Sequence, residues 1–162
     1  MKKLVVFYSL DGNTKFIAEK IAEEISAEIL ELKPEKEIPK IEPFKHLWGG
    51  KQVINKETPK LREYHFNLSD YDILIIGTPV WSFNFSPPIR TFLKENKIKN
   101  KKIIIYCTSK GLKGETLENL KKELKGNEII AEIEFRNVLK NQEENIKKLK
   151  DFITTLKERN LV

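Results

Sequence analysis

The sequence predicts an α/β domain built on a doubly wound parallel sheet of five strands in the order 2-1-3-4-5. Three observations lead there. Apolar runs rich in β-branched residues alternate along the chain with stretches of helical period. Two of these runs, Ile73-Leu74-Ile75-Ile76 and Ile103-Ile104-Ile105-Tyr106-Cys107, contain no charged residue, as strands covered on both faces require. Two others interleave apolar and charged residues, as strands with a free edge do.

Taken in order, Leu4, Val5, Val6 and Phe7 form the first strand. Phe16, Ile17, Ile21, Ala22 and Ile25 then recur at helical spacing. The second strand, Glu28 to Lys33, mixes Ile29 and Leu30 with charge. The third, Asp72 to Gly77, is central. Pro87 and Pro88 suit the first turn of a helix carrying Ile89, Phe92 and Leu93, and the fourth strand follows. Leu117, Leu120 and Leu124 mark the next helix. Ile129, Ala131, Ile133 and Phe135 alternate with Glu132 and Glu134 in a fifth, edge strand, and Ile146, Leu149, Phe152, Ile153 and Leu156 close the chain as an amphipathic helix. Parallel neighbours need crossover connections, so central strands one, three and four flanked by edges two and five yield the stated order. Residues 34 to 66 break the rhythm with Pro34, Pro39, Pro43, Pro59 and Gly49-Gly50. They read as an irregular insertion in which Phe44, Leu47 and Trp48 anchor a short helix onto the body, or cover a ligand or a partner subunit.

Length and composition bound the rest. A chain of 162 residues is one domain, residues 1 to 162. The single Cys107 excludes an intrachain disulfide, and with only His46 and His65 beside it a thiolate metal site is excluded, so no metal is expected. The charged residues after Tyr8 argue against a signal peptide, and no uncharged run approaches the roughly 20 residues of a membrane span. The expectation is a cytoplasmic protein with no membrane association. The net charge of +6 raises nucleic acid as a partner. Interleaving of lysine with glutamate, as in Lys121-Lys122-Glu123, and the lack of an aromatic-lined basic strand pair argue against it.

In a doubly wound sheet the ligand lies outside the carboxyl ends of the strands at the switch point, here between strands one and three. Three loops meet there. Ser9-Leu10-Asp11-Gly12-Asn13-Thr14 runs straight into a helix, where free N–H groups and the helix dipole favour an anion. The same residue types also cap helices that bind nothing. The second loop, Thr78 to Pro88, holds Trp81, Phe83 and Phe85 within five residues between prolines, so Trp81 stacks on a planar ligand while Phe83 and Phe85 serve equally as packing. The third, Thr108-Ser109-Lys110-Gly111-Leu112-Lys113-Gly114, offers hydroxyls, amides and two glycines that permit close approach. Together the loops suit a ligand with a phosphate tail and a flat heterocycle. Cys107 and the two histidines read as packing or surface residues, and no catalytic residue is assigned.

On these residues the sequence resembles the flavodoxin-like FMN-binding family. Ser9 to Thr14 resembles the family's phosphate loop and Gly77-Thr78-Pro79-Val80-Trp81 its isoalloxazine loop. The resemblance implies FMN as cofactor, with Ser9, Asp11, Gly12, Asn13 and Thr14 at the phosphate. It places Thr78, Pro79, Val80, Trp81, Ser82 and Phe83 at the ring, and Thr108, Ser109, Gly111 and Gly114 at the ring edge and ribityl chain. Three departures accompany it. Asp11 stands where the family usually has threonine, so its carboxylate must turn away to cap the helix. No glycine follows Trp81, which leaves Asn84 as the nearest residue tolerant of a positive φ. The chain is basic where electron-carrying flavodoxins are acidic. Lys110 and Lys113 are expected near the ring edge.

The resemblance implies an FMN-binding redox protein that transfers electrons through bound flavin. The alternatives are an FMN-dependent NAD(P)H oxidoreductase acting on a quinone or other small acceptor, and a flavin-free interaction module. A redox partner protein or a small-molecule acceptor is expected, and a homodimer is left open. A phosphate-switched regulatory domain shares the strand order but needs acidic residues after the first and third strands, where this chain has Tyr8-Ser9 and Gly77-Thr78.

Overall fold

The computed structural model describes residues 1–39 and 44–162, with only the backbone described at 44–46. Strand β1 (Lys3–Phe7) leads into α1 (Asn13–Ile25) and β2 (Glu28–Glu31). The insertion follows, closed at its base by an antiparallel bridge between Pro34 and Leu61, and contains α2 (Phe44–Ile54). Beyond a 3-10 turn at Leu68–Asp70 come β3 (Ile73–Trp81), β4 (Asn84–Phe85), α3 (Pro87–Asn96), β5 (Lys102–Ser109), α4 (Thr116–Glu123), β6 (Glu128–Arg136) and α5 (Gln142–Glu158).

The strands pair in the order β2-β1-β3-β5-β6, all parallel, with β4 attached antiparallel to the end of β3. With β4 set aside, this is the order expected from burial. Alternation along the strands builds a core on each face. Leu4, Val6, Leu74, Ile76, Ile103 and Ile105 pack beneath Ile89, Phe92, Leu117 and Leu120 of α3 and α4. On the other face Val5, Phe7, Ile73, Ile75 and Ile104 meet Ile17, Ile21, Leu149 and Ile153 of α1 and α5. The helix after β1 and the helix after β3 thus lie on opposite faces, so their connections diverge and open a crevice between these strands.

Two expectations need correction. The segment after Gly77 is not a loop: β3 continues to Trp81 and folds back through a two-residue turn into β4, with Val80 opposite Phe85 and Trp81 opposite Asn84. Ser82 and Phe83 take positive φ of 47° and 60°, as a type I′ hairpin demands. Asn84, expected to take that role, instead accepts the Phe85 N–H on its side chain at 2.8 Å. The usual Asn-Gly signal is absent, so the hairpin is hidden in the sequence. Second, Leu47 and Trp48 do not anchor α2; they are 65% and 53% exposed, and its packing is made by buried Gly49 and Val53. The expectations for Phe44 and His46 fall outside the described side chains. Strand β6 also carries a bulge that lets Ile104 pair with Ala131 directly after Ile103 pairs with Ile129. Among the described residues, no helix is long and apolar enough to cross a membrane.

Candidate functional site

The loop after β1 is shaped before it meets anything else. The Gly12 N–H donates to the Ser9 hydroxyl at 3.1 Å, and Gly12 sits at φ 88°, a conformation a side chain would strain. Gly12 is the residue that precedes α1, and among the described residues no side-chain hydrogen bond caps the helix. Asp11 is therefore not the cap. Its carboxylate meets the Lys110 ammonium at 3.1 Å, an ion pair joining the first loop to the third. The first-turn N–H groups of α1 face the crevice with the dipole's positive end.

Two buried bonds hold this helix start against β5. The Thr14 and Thr108 hydroxyls share a hydrogen bond of 2.8 Å, and the Tyr106 hydroxyl donates to the Thr14 carbonyl at 3.1 Å. Tyr106 reaches that carbonyl because its neighbour in the sheet is Gly77, where any side chain would collide with the tyrosine ring. The Asn13 side-chain oxygen is engaged too, accepting the Leu139 N–H at 3.1 Å.

The opposite wall belongs to the β3–β4 hairpin. The Thr78 hydroxyl accepts the Ser86 N–H at 2.9 Å and donates to the Pro79 carbonyl, also at 2.9 Å, which ties the two ends of the hairpin together. Trp81 meets Tyr8 edge to face. A side chain on Gly49 would lie 3.3 Å from the Trp81 ring, and one on Gly50 would lie 3.0 Å from the Ser82 hydroxyl. Helix α2 approaches the hairpin on its glycine face for this reason.

A cleft open to solvent on one side lies between these walls. Ser9, Asp11, Asn13, Thr14, Pro79, Val80, Trp81, Ser82, Thr108 and Ser109 line it, so ten of the residues singled out in the sequence are brought together. Gly12, Thr78, Phe83, Gly111 and Gly114 do not line it. Gly12 and Thr78 shape the walls from behind. Gly114 packs against Phe83, which is 63% exposed, and Gly111 faces open space. Leu10, Gly49, Gly50 and Lys110 also line the cleft. Lys110 had been expected near the ring edge; Lys113 is not among the lining residues, and its carbonyl accepts the Thr116 hydroxyl at 2.6 Å. Gly49 and Gly50 carry no functional group, and the only signal for them is the glycine pair in a proline-rich insertion.

Cys107 is fully buried, and burial pushes its thiol up to about 12, so it is not a nucleophile at neutral pH. Burial, with the Glu37 carboxylate hydrogen-bonded to it, holds the Tyr8 hydroxyl protonated far above the ordinary tyrosine range. No group of three His, Cys, Asp or Glu gathers at metal-binding distance among the described residues.

The chain is similar in structure to a flavoprotein in complex with FMN from Lactobacillus acidophilus, at 27% identity and TM-score 0.74, over 86% of this chain and 96% of that one. A putative flavoprotein from Bacteroides uniformis shares the fold at 21% identity and TM-score 0.82, over 94% and 97%. Oxidised flavodoxin 2 from Bacillus cereus shares it at 17% identity and TM-score 0.63, over 98% and 99%. A family model described as flavodoxin matches residues 2–156, nearly the whole of a sheet whose crevice sits where the switch point requires. The chain belongs to the flavodoxin family.

Proposed function

We propose that this protein binds FMN and transfers electrons through it to and from a partner protein in the cytoplasm. One observation carries the reading: a single cleft has an uncapped helix N-terminus at one end and a half-buried tryptophan at the other. The residues fit the group. Ser9, Thr14 and the first N–H groups of α1 form an anion cradle with no second Gly-rich fingerprint beside it, which suits one phosphate rather than a dinucleotide. Thr108 and Ser109 line the cleft between its two ends, their hydroxyls engaged by Thr14 and by Gly111 and Glu134, and Pro79 to Ser82 with Trp81 form a wall for a flat ring.

Flavin, when bound, supplies the redox chemistry, and the chain's residues hold and shield it. Trp81, braced by Tyr8 and Gly49, presents an apolar face that excludes water. The Thr78 staple keeps the hairpin from opening. Trp48, Phe83 and Leu112, each within two positions of a lining residue, are exposed apolar side chains, the composition of a protein contact. The net charge of +6 supports the second reading, an oxidoreductase acting on a small acceptor such as a quinone, because it differs from the acidic surface of electron carriers.

Calorimetry of the apoprotein with FMN and FAD tests the cofactor; FMN binds more tightly, and comparable FAD binding overturns the proposal. Anaerobic titration of the loaded protein with nicotinamide and then quinone separates the two roles. Direct, rapid reduction by NAD(P)H followed by quinone turnover selects the oxidoreductase.

A further inference from the structure

Among the described residues that line the cleft, Trp81 is the one aromatic side chain, and Tyr8 meets its ring edge to face at 5.5 Å between centroids. Tyr8 is buried, and its hydroxyl donates to Glu37 Oε1 at 2.6 Å, on a residue that is itself exposed. The three side chains run from the cleft, through the core, to the surface of the insertion. A buried hydroxyl needs a partner, and a backbone carbonyl would serve; here the partner is a base. Indole and phenol are among the most readily oxidised side chains. An oxidised phenol is a strong acid, so Tyr8 yields an electron only where its proton has an acceptor, and a carboxylate at this distance is one.

We propose that Trp81, Tyr8 and Glu37 form a relay that carries an oxidising equivalent out of the cleft. When a one-electron oxidant takes an electron from the Trp81 indole, Tyr8 returns one electron to the indole radical cation and passes its hydroxyl proton to Glu37 Oε1. The indole is restored, the phenol becomes a neutral phenoxyl radical and the carboxylate becomes a carboxylic acid, so electron and proton are both accounted for. The radical then resides on a buried ring, shielded from dioxygen, instead of on the wall of the site. The relay uses residues of this chain alone and does not depend on the FMN reading.

Pulse radiolysis of the apoprotein tests the relay, with azidyl radical, which oxidises indole in preference to phenol, as the oxidant. Trp48→Phe serves as background, so that Trp81 is the one tryptophan left. The indole-radical absorption is expected to decay into phenoxyl absorption at a rate independent of protein concentration. Tyr8→Phe, which keeps the ring, abolishes the phenoxyl signal, prolongs the indole radical and raises the yield of oxygenated Trp81 found by mass spectrometry. Glu37→Gln keeps an acceptor for both the hydroxyl and the Ile38 N–H but removes the base, and slows the transfer about a hundredfold. A purely structural hydrogen bond predicts no such slowing. A phenoxyl signal that survives in Tyr8→Phe comes from another tyrosine and overturns the relay. So does transfer at the parental rate in Glu37→Gln, or an indole radical that never passes to phenol. Should Tyr8→Phe fail to fold, Glu37→Gln, at an exposed position, still decides the matter. Because no flavin is present, the outcome is independent of whether the protein binds FMN.

Discussion

Tyr8 and Trp81, at the carboxyl ends of adjacent strands, meet edge to face with ring centroids 5.5 Å apart and planes at 86°. The Tyr8 hydroxyl donates to Glu37 at 2.6 Å, and the same carboxylate oxygen accepts the Ile38 N–H at 3.2 Å. Ile38 is buried beside Gly49. The tryptophan that walls the cleft is thus held from below by β1 and from the side by the insertion.

Trp81→Ala therefore has two effects. Loss of the aromatic wall weakens FMN binding tenfold or more and brightens the bound flavin, since stacking quenches its emission. Loss of packing against Tyr8 also costs the apoprotein about 1–2 kcal/mol, less than the roughly 3–5 of a fully buried aromatic because Trp81 is only half-buried. Chemical denaturation and flavin fluorescence on one variant read both; a stability loss with unchanged emission removes Trp81 from the ring site.

Gly77→Ala places a methyl group in the Tyr106 ring, which is fully buried and has no room to move. Overpacking of this kind costs about 2–3 kcal/mol. Any shift of the ring also strains its bond to the Thr14 carbonyl, so FMN affinity falls together with stability. A variant of parental stability would show that the sheet absorbs the methyl without moving Tyr106.

Thr14→Val leaves the Thr108 hydroxyl buried without its partner and costs about 1–3 kcal/mol. Thr108→Val does the same to Thr14. Because both lose one shared bond, the double variant is less destabilised than the two effects summed. A double-mutant cycle by urea denaturation checks this, and simple additivity would show that the hydroxyls do not interact.

Alkaline pH should destabilise the fold. Cys107, pushed up to about 12 by burial, and Tyr8 and Tyr106, raised chiefly by burial, stay protonated in the native state while the unfolded chain titrates near 9 to 10. Above about pH 9 the native state binds more protons than the unfolded state, so stability falls as pH rises, by about 1.4 kcal/mol per pH unit for each such group in its window. Melting temperatures measured from pH 7 to 11 check the sign. Native Cys107 is expected to resist thiol reagents at pH 8 and to react once the chain is unfolded.

The architecture was legible because burial leaves its mark on residue type. Ile73 to Ile76 and Ile103 to Cys107 carry no charge since both their faces are covered, and Glu132 and Glu134 betray an edge; parallel pairing and handed crossovers do the rest. The three loops could be placed for the same reason, as each follows a strand that the pattern had ordered. What only the tertiary structure decided are relations between residues distant in sequence. Gly77 makes room for Tyr106, 29 positions away, which then supports Thr14. Lys110 answers Asp11 across the cleft, and Gly49 turns the insertion onto Trp81. Local pattern encodes how much of a residue is covered and with what period. It does not encode which distant side chain does the covering, because that depends on where the sheet's twist and the helices' packing carry each loop.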